Sequence, residues 1–387
     1  MPRLVYLDHS ATTPLDPEVL AAMQPVFAEL YGNASSVHAF GRSARVKLEE
    51  SRESIAQVLG VSHDELLFTS GGTESDNFAL RGTFAAARRS GRDHLIVSSV
   101  EHHAVLATAE KLKGEGASVT VLPVDEYGMV DPERVRSSIT PKTFLVSVMH
   151  GNNEVGTLEP IHELALLANE HGALFHSDAV QTFGKVRLNL KDTPVDLVSI
   201  TAHKLYGPKG IGALVVRKGT ALVPETVGGA QEGNRRAGTE NVPLAVGFAA
   251  AVRIAAERRE RDAERLVALS GEMKREIGRR FPDLLWNGHP NERLQGIVSI
   301  SFPWDRYGLD GEALIMGLDL RGVAVTSGSA CTSGTLQPSH VLMAMGRDER
   351  TARATVRFSL GRATTAEDVK YAAEALEEVV KTASNRV

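Results

Sequence analysis

Several patterns that define large protein classes are missing from this chain. It contains a single cysteine, Cys331, so no disulfide can form within it, which is usual in a reducing compartment. No apolar run approaches the roughly 20 residues of a membrane-spanning helix, and the first residues, MPRLVYLDHSATTP, lack a signal-peptide core. The formal net charge of -5 argues against a nucleic-acid-binding surface. We therefore expect a cytoplasmic protein that contacts no membrane and no nucleic acid directly.

Apolar runs alternate with amphipathic stretches over the first two thirds of the chain. Helical patterns lie between the runs, near 43–59, 74–89, 104–114, 131–139 and 161–171. The strand-like runs cover 65–70, 94–99, 118–124, 143–150, 173–178, 195–200 and 212–217. Strands separated by helices indicate βαβ units and a buried, mostly parallel sheet. The predicted fold class is therefore α/β, with a mostly parallel seven-stranded sheet in a large domain.

The pattern changes after Asn241. A long helical stretch, roughly 242–280, carries mixed charges typical of a solvated helix face. Further apolar runs at 297–302, 311–320 and 354–360 and a closing helix near 365–382 indicate a smaller α+β unit. We predict a large domain at 16–258 and a small domain made of 1–15 and 259–387.

Lysine and aspartate follow two successive strands of the predicted sheet. Lys204 comes after VDLVSI, in AHKLYGPKGIG, and Asp178 comes after ALFHS, three residues before Gln181. The carboxyl ends of parallel strands share one edge of the sheet, where ligands bind in open α/β folds. A lysine for an aldehyde and an aspartate for a pyridinium nitrogen are the two fixed points that pyridoxal phosphate requires. The alternative is a plain Asp–Lys salt bridge.

Other strand ends carry groups suited to the same cofactor. SGGTES at 70–75 predicts a strand, a glycine-rich turn and a helix start, which can hold one phosphate through backbone N–H groups. The alternative is an ordinary helix cap by Ser70 or Thr73. His102 or His103 could lie on an aromatic ligand, although a single histidine is often structural. Likewise, Asn152 and Asn153 either form a turn or donate to a ligand oxygen.

Two glycine-rich segments without apolar pattern lie far from these strand ends in sequence. Residues 228–241, GGAQEGNRRAGTEN, form either a flexible surface loop or a loop that reaches a phosphate site, that of this chain or that of a second subunit. Cys331 lies within TSGSACTSGTLQPSH, residues 326–340, whose small residues predict a mobile loop. A thiol on such a loop beside a pyridoxal site suggests a nucleophile delivered to the substrate, and the alternative is an incidental cysteine.

Ten motifs in order resemble those of the cysteine desulfurases, pyridoxal-phosphate enzymes of fold type I in the class V aminotransferase group. The GSACTSG form resembles the subgroup with a longer, mobile cysteine loop. The motifs are YLDHSATTP (6–14), YGNASSVH (31–38), FTSGGTES (68–75), EHHAVL (101–106), HGNNEVG (150–156), HSDAVQ (176–181), AHKLYGPKGIG (202–212), RRAGTEN (235–241), GSACTSG (328–334) and VRFSLGR (356–362).

The resemblance implies a role for each matching residue. Lys204 would bond the cofactor aldehyde, Asp178 would pair with the ring nitrogen, and Cys331 would be the nucleophile. The remaining roles are ring stacking and proton transfer by His102, contact with the ring hydroxyl by Asn153 and Gln181, phosphate binding by Gly72, Thr73, Thr201, His203 and the partner subunit's Thr239, and binding of the substrate carboxylate by Asn33 and Arg357. Thr201, Ala34 and Gly151 depart from the usual family residues without removing a catalytic group.

The implied reaction converts L-cysteine to L-alanine and leaves sulfur on Cys331 as a persulfide. A homodimer would pass that sulfur to acceptor proteins, such as an iron–sulfur scaffold, or into tRNA thiolation or related pathways. Two alternatives remain open at this point: a selenocysteine lyase or aminotransferase on the same scaffold, and a non-catalytic sulfur-transfer scaffold. No metal ligand pattern is present in the sequence.

Overall fold

The computed structural model describes residues 3–328 and 337–384, so Cys331 lies outside the described residues. The strands are β1 (Val5–Tyr6), β2 (Leu66–Thr69), β3 (His94–Ser98), β4 (Ser118–Leu122), β5 (Thr143–Ser147), β6 (Leu174–Asp178), β7 (Leu197–Thr201), β8 (Gly212–Val216), β9 (Leu285–Asn287), β10 (Ile297–Ser301), β11 (Val323–Ala324) and β12 (Thr355–Ser359). The helices are α1 (Pro17–Glu29), α2 (Ala39–Leu59), α3 (Gly72–Ala87), α4 (His103–Gly114), α5 (Pro132–Ser138), α6 (Ile161–Glu170), α7 (Gln231–Asn234), α8 (Val242–Arg280), α9 (Trp304–Tyr307), α10 (Gly311–Asp319), α11 (His340–Ala344), α12 (Glu349–Arg353) and α13 (Ala366–Ser384).

A seven-stranded sheet forms the centre of the larger part of the chain. Its order is β2-β8-β7-β6-β5-β3-β4, and the pairs along β7-β6-β5-β3-β4 are parallel. Only β8 runs against its neighbours β2 and β7. The predicted α/β fold with a mostly parallel seven-stranded sheet is confirmed. Each of the seven apolar runs became one of these strands.

Strand β7 shows why an unbroken apolar run was a correct sign of a central strand. Val198 and Ile200 pack into the hydrophobic core on one face of the sheet. Leu197 packs into a separate core on the other face. Because both faces are covered, alternation with polar residues is absent. Truncating one of these side chains, as in Ile200→Ala, is expected to cost about 2–5 kcal/mol.

A second group of strands uses both ends of the chain. β10 pairs antiparallel with β9 and β12, while β1 pairs in parallel with β11 through Val5 and Val323. An isolated bridge joins Asp8 to Ser359. The apolar run at 311–320 became helix α10. These contacts place the first residues beside the C-terminal strands, and the domain boundaries themselves stay a prediction.

Helix α8 is continuous through residue 258, the predicted boundary. Its Phe248 is buried in the core beside the large sheet, and its Met273 is buried in the core beside β10 and β12. Helix α1, which the sequence pattern did not single out, packs along α8. Asp16 caps α1 by accepting from the Glu18 N–H at 3.0 Å. Within residues 3–328 and 337–384, no helix is long and apolar enough to cross a membrane.

Candidate active site

A cavity of about 520 Å³ lies at the carboxyl ends of the parallel strands. Ten of the predicted site residues line it together: Gly72, Thr73, His102, Asn153, Asp178, Gln181, Thr201, His203, Lys204 and Arg357. They come from the ends of β2, β3, β5, β6, β7 and from β12, so strand-end placement is the cause of their convergence. Ser10, Ala11, Asp76 and Thr326 also line it.

Lys204 lies in a tight turn directly after β7. Tyr206, two residues later, has a left-handed φ of 65°, which turns the chain back and lets the next strand run antiparallel. The Lys204 ammonium donates to the carbonyl oxygens of Ser10 and Ala11. Burial, followed by repulsion from Arg357, lowers the pKa of Lys204 to about 8. A substantial fraction of this amine is therefore neutral near physiological pH, as a nucleophilic lysine requires.

Asp178 is the last residue of β6 and is buried. One of its carboxylate oxygens accepts from the Val180 N–H at 2.8 Å. Burial raises its pKa to about 6, while the Val180 hydrogen bond and the charge of Lys204 oppose that rise. At neutral pH this carboxylate is ionised inside a cavity, where a cationic ligand would stabilise it.

Asp76 on α3 is a cavity residue that our sequence reasoning missed. It is 1% exposed, and its Oδ1 has no hydrogen-bond partner among the described residues. Burial, followed by repulsion from Asp178, raises the pKa of Asp76 well above its usual range, which favours its protonated form. Asp76 lies four residues after Gly72, one helical turn on the same face, and that spacing was the available signal.

His102 begins α4 as its N-cap residue. Its Nδ1 accepts from the Ala104 N–H at 3.1 Å, which leaves the ring proton of the neutral form on Nε2. Burial, followed by the charge of Lys204, lowers its pKa to about 4. The ring is therefore a neutral hydrogen-bond donor at neutral pH. His103 is separate: its ring contacts His340, with centroids 4.6 Å apart.

The N-terminus of α3 forms the predicted anion cradle. The first N–H groups of a helix have no intrahelical partner, and here they belong to residues around Gly72 and Thr73, which line the cavity. A Cβ on Gly72 would lie 2.7 Å from Val180 Cγ2, so the close approach requires glycine. Thr201 and His203 lie across the cradle. The Thr201 hydroxyl donates to the Ile211 carbonyl at 3.0 Å and would have to rotate to bind a phosphate.

Two amides that the sequence left ambiguous have different roles. Asn152 is buried and holds a turn, since its Oδ1 accepts from Glu154 and Val155 and its Nδ2 donates to Val100. Asn153 lines the cavity instead.

Gln181 also lines the cavity, with both ends of its amide engaged. Its Nε2 donates to Ser10 at 2.8 Å, and its Oε1 accepts from Lys185 at 3.2 Å. One N–H of Gln181 remains for a ligand oxygen.

Arg357 supplies a fixed cation on β12. Its Nη2 donates to Asp8 at 2.8 Å, and its Nη1 donates to the Asn153 carbonyl at 2.8 Å. Its Nε is buried without a hydrogen-bond partner among the described residues. The guanidinium is 4% exposed and lines the cavity. A ligand carboxylate would satisfy the unpaired N–H in the geometry that arginine favours.

Three predicted residues are not part of this cavity within one described chain. Asn33 is exposed, and its Oδ1 accepts from the Ser35 N–H at 2.8 Å. Thr239 lines a neighbouring cavity with Ser70 and Arg236. Cys331 lies outside the described residues. The roles of Asn33, Thr239 and Cys331 therefore stay predictions.

The arrangement fits pyridoxal phosphate by the chemistry of its donors. A nucleophilic amine, a buried ionised carboxylate and a helix N-terminus match the aldehyde, the pyridinium nitrogen and the phosphate. Within the described part of the chain, no three His, Cys, Asp or Glu side chains are grouped so that they could hold a metal ion.

Comparisons with known proteins agree with this chemistry. The family model described as aminotransferase class-V matches residues 5–372. The cysteine desulfurase IscS of Dictyoglomus turgidum is 46% identical over 381 residues, which cover 98% of this chain and 95% of that protein. A solved NifS-like protein is 36% identical with a TM-score of 0.91, covering 98% of this chain and all of that one. SspA, solved in complex with cysteine, is 34% identical with a TM-score of 0.80, and the match covers 92% of this chain and 98% of that one.

Proposed function

This chain belongs to the class-V aminotransferase family and to the cysteine desulfurases within it, and on that premise we propose which of its residues carry out each part of the reaction. The enzyme is a pyridoxal-phosphate-dependent cysteine desulfurase that acts in sulfur metabolism. The observation that carries the residue assignment is the joint placement of Lys204, Asp178 and Arg357 around one cavity.

Lys204, Asp178 and the start of α3 are the residues that would hold the cofactor. When bound, pyridoxal phosphate withdraws electrons from the substrate and makes its Cα proton acidic. Asp178 keeps a negative charge at the ring nitrogen, since its pKa of about 6 leaves it ionised at neutral pH. Gly72 and Thr73 offer backbone N–H groups to the phosphate.

Arg357 would orient the substrate by its carboxylate. The guanidinium is fixed by Asp8 and Asn153, so little side-chain freedom is lost when the carboxylate binds. This contact directs an amino acid, and not an amine, into the cavity. SspA, at 34% identity, was solved with cysteine bound, which supports cysteine as the substrate here.

Lys204 is the better base for the Cα proton. Its pKa of about 8 provides neutral amine at physiological pH. His102 already carries its proton on Nε2 and has a pKa of about 4, so its neutral ring donates a hydrogen bond there and does not accept one. We assign proton removal to Lys204 and hydrogen-bond donation to His102.

Cys331 would receive the sulfur. Its thiolate attacks the substrate sulfur, so that a sulfur–sulfur bond forms, the substrate carbon–sulfur bond breaks, and the electron pair of that bond remains with the substrate carbon. Protonation of that carbon gives L-alanine, and the sum is L-cysteine plus thiol giving L-alanine plus persulfide, without an external oxidant.

Mass spectrometry after incubation with L-cysteine tests this assignment. We expect a gain of roughly 32 Da, one sulfur atom, on the peptide that contains Cys331, together with L-alanine release. A Cys331→Ala enzyme should retain its bound cofactor and release no sulfide. Sulfide release at the wild-type rate by that variant would refute persulfide formation, and 3-mercaptopyruvate formation with amino-group transfer would favour an aminotransferase. Parallel assays with selenocysteine in place of L-cysteine test the alternative that the protein is a selenocysteine lyase.

The active form is proposed to be a cytoplasmic homodimer in which Thr239 serves the partner's site. Support comes from the position of Thr239, which lines a separate cavity and does not line the catalytic cavity of its own chain. Mixed dimers of Lys204→Ala and Thr239→Ala subunits test this, because one site would then contain both intact residues. Activity above that of both parents supports the partner role, and activity at or below that of the better parent contradicts it. The sulfur acceptors are proposed to be proteins such as an iron–sulfur scaffold.

A further inference from the structure

A second cavity lies behind the wall formed by Ser10 and Lys204, which line both cavities. It is bounded by the middle of α8, by residues 184–186, by residues 293–297 around the start of β10, and by residues 359–362 at the end of β12. It encloses about 160 Å³. The reaction proposed above uses none of its residues except Lys204.

The lining of this second cavity is strongly basic. Six basic side chains line it, Lys185, Lys204, Arg259, Arg265, Arg293 and Arg362, against one acidic side chain, Asp262. Asp262 is already paired with Arg362 at 2.7 Å. Clefts lined by one sign of charge with low-dielectric walls focus the field and attract counter-ions. Even without Lys204, which would bond the cofactor in the holoenzyme, basic side chains therefore outnumber acidic ones five to one in this lining.

Apart from Lys204, four of these cations have no carboxylate partner among the described residues. Lys185 donates only to the neutral amide of Gln181. Arg265 and Arg293 donate to backbone carbonyls, and Arg259 makes no hydrogen bond or ion pair with a described residue. Burial, followed by repulsion from Lys204, lowers the pKa of Lys185 to about 7. An anion placed among these side chains would stabilise their charged forms.

Apolar surfaces make up most of the remaining lining. They come from Val186, Leu205, Ala255, Ala263, Leu266, Leu294, Ile297 and Leu360. A ligand that fills the cavity must therefore bury an apolar body while its charge meets the basic residues. The enclosed space compares with the roughly 150 Å³ cavity in a different protein that takes up benzene.

We propose that this second cavity is a binding site for a small organic anion with a compact apolar body, of the size and chemistry of an aromatic or branched carboxylate. The carboxylate contacts Arg259 and Lys185, and the apolar body packs against the α8 face at Ala255 and Ala263. Because Ser10 and Lys204 form the shared wall, the occupant lies directly behind the catalytic lysine.

Calorimetric titration of the holoenzyme with benzoate tests this site, with benzamide as the uncharged analogue of the same shape. We expect saturable benzoate binding, and benzamide should bind at least about 10-fold more weakly because a charge-assisted contact is lost. Arg259→Gln should weaken benzoate by a similar factor and leave desulfurase activity unchanged. Arg261→Gln is the matched control, since Arg261 is exposed on the same helix and does not line the cavity.

Two further variants separate this site from the active site and from folding defects. Ala263→Phe keeps every charge but fills the apolar part, so benzoate binding should be lost. Arg357→Ala removes the carboxylate contact of the active site and should leave benzoate binding unchanged. The proposal is overturned if benzoate does not bind the wild-type holoenzyme, if it binds Arg259→Gln and Ala263→Phe as well as wild type, or if Arg357→Ala alone abolishes binding.

Discussion

A buried ion pair joins the glycine-rich loop at 228–241 to the strand that leads into the phosphate cradle. Arg52 of α2 donates to both carboxylate oxygens of Glu232, at 2.6 and 2.8 Å. Glu232 also accepts from the Phe68 N–H of β2 at 2.9 Å. Both residues are 6% exposed. Glu232 has a left-handed φ of 46°, so these contacts fix a backbone conformation that a non-glycine residue rarely adopts.

Glu232→Gln should destabilise the protein by about 3 kcal/mol. Breaking a buried pair costs about 3–5 kcal/mol because one charge remains buried without compensation. Here the Arg52 Nε keeps its bond to Glu49 at 2.9 Å, and Glu49 is partly exposed, so the lower end of that range applies. The substitution preserves the shape of the side chain and leaves one oxygen for a neutral hydrogen bond.

Urea unfolding of the wild-type and variant proteins measures this difference. Glu349→Gln is the matched control, because it breaks a 2.7 Å ion pair with Arg353 at the surface. The Glu349 side chain is 58% exposed and that of Arg353 is 45% exposed, so the substitution should cost less than about 1 kcal/mol. A double variant, Arg52→Met with Glu232→Leu, should recover much of the lost stability because no unpaired charge remains. Equal, sub-kilocalorie effects of Glu232→Gln and Glu349→Gln would refute the reasoning.

Two further predictions concern the titrating groups of the cavity. Because the pKa of Lys204 is lowered to about 8, protonation below that pH removes the neutral amine that reacts with the cofactor aldehyde. The rate of pyridoxal phosphate uptake by cofactor-free protein should therefore rise from pH 7 to pH 9 and then level off. Stopped-flow absorbance measures this rate, and a rate that does not depend on pH would contradict the assignment. Asp178→Asn should weaken cofactor binding by about 10-fold or more, whereas Asp76→Asn should change it by less than about threefold, since burial and repulsion from Asp178 raise the pKa of Asp76 and favour its neutral form. Equal effects of the two substitutions in equilibrium binding would contradict the assigned protonation states.

The sequence predicted the residues whose positions follow from strand direction. Lys204 and Asp178 end neighbouring parallel strands, so their meeting required only the βαβ pattern. Asp76 was missed because strand ends alone were examined, although helical spacing from Gly72 leads to it. The tautomer of His102 could not be predicted, because it depends on a helix-cap hydrogen bond to Ala104.

Other features depend on parts of the molecule that sequence patterns do not bring together. The second cavity combines α8 with segments that lie far apart in the chain, from Ser10 to Arg362, and its basic residues are scattered singly along the chain. Helix α1 was not recognised because Pro25 lies inside it, and an internal proline usually marks the end of a helix. Asn33 and Thr239 lie apart from the cavity of their own chain, as expected if their roles depend on a second subunit.

The length of helix α8 limits how the two hydrophobic cores can move relative to each other. At 39 residues, it is a rod of roughly 58 Å whose two halves are anchored in different hydrophobic cores. Between Phe248 and Ser270 it contains neither glycine nor proline, the residues at which helices usually bend. Any rotation of one core against the other must therefore bend the helix near Gly247 or Gly271, or move the whole rod. Strain applied at one end is transmitted along the helix past the second cavity, so an occupant there would resist that motion.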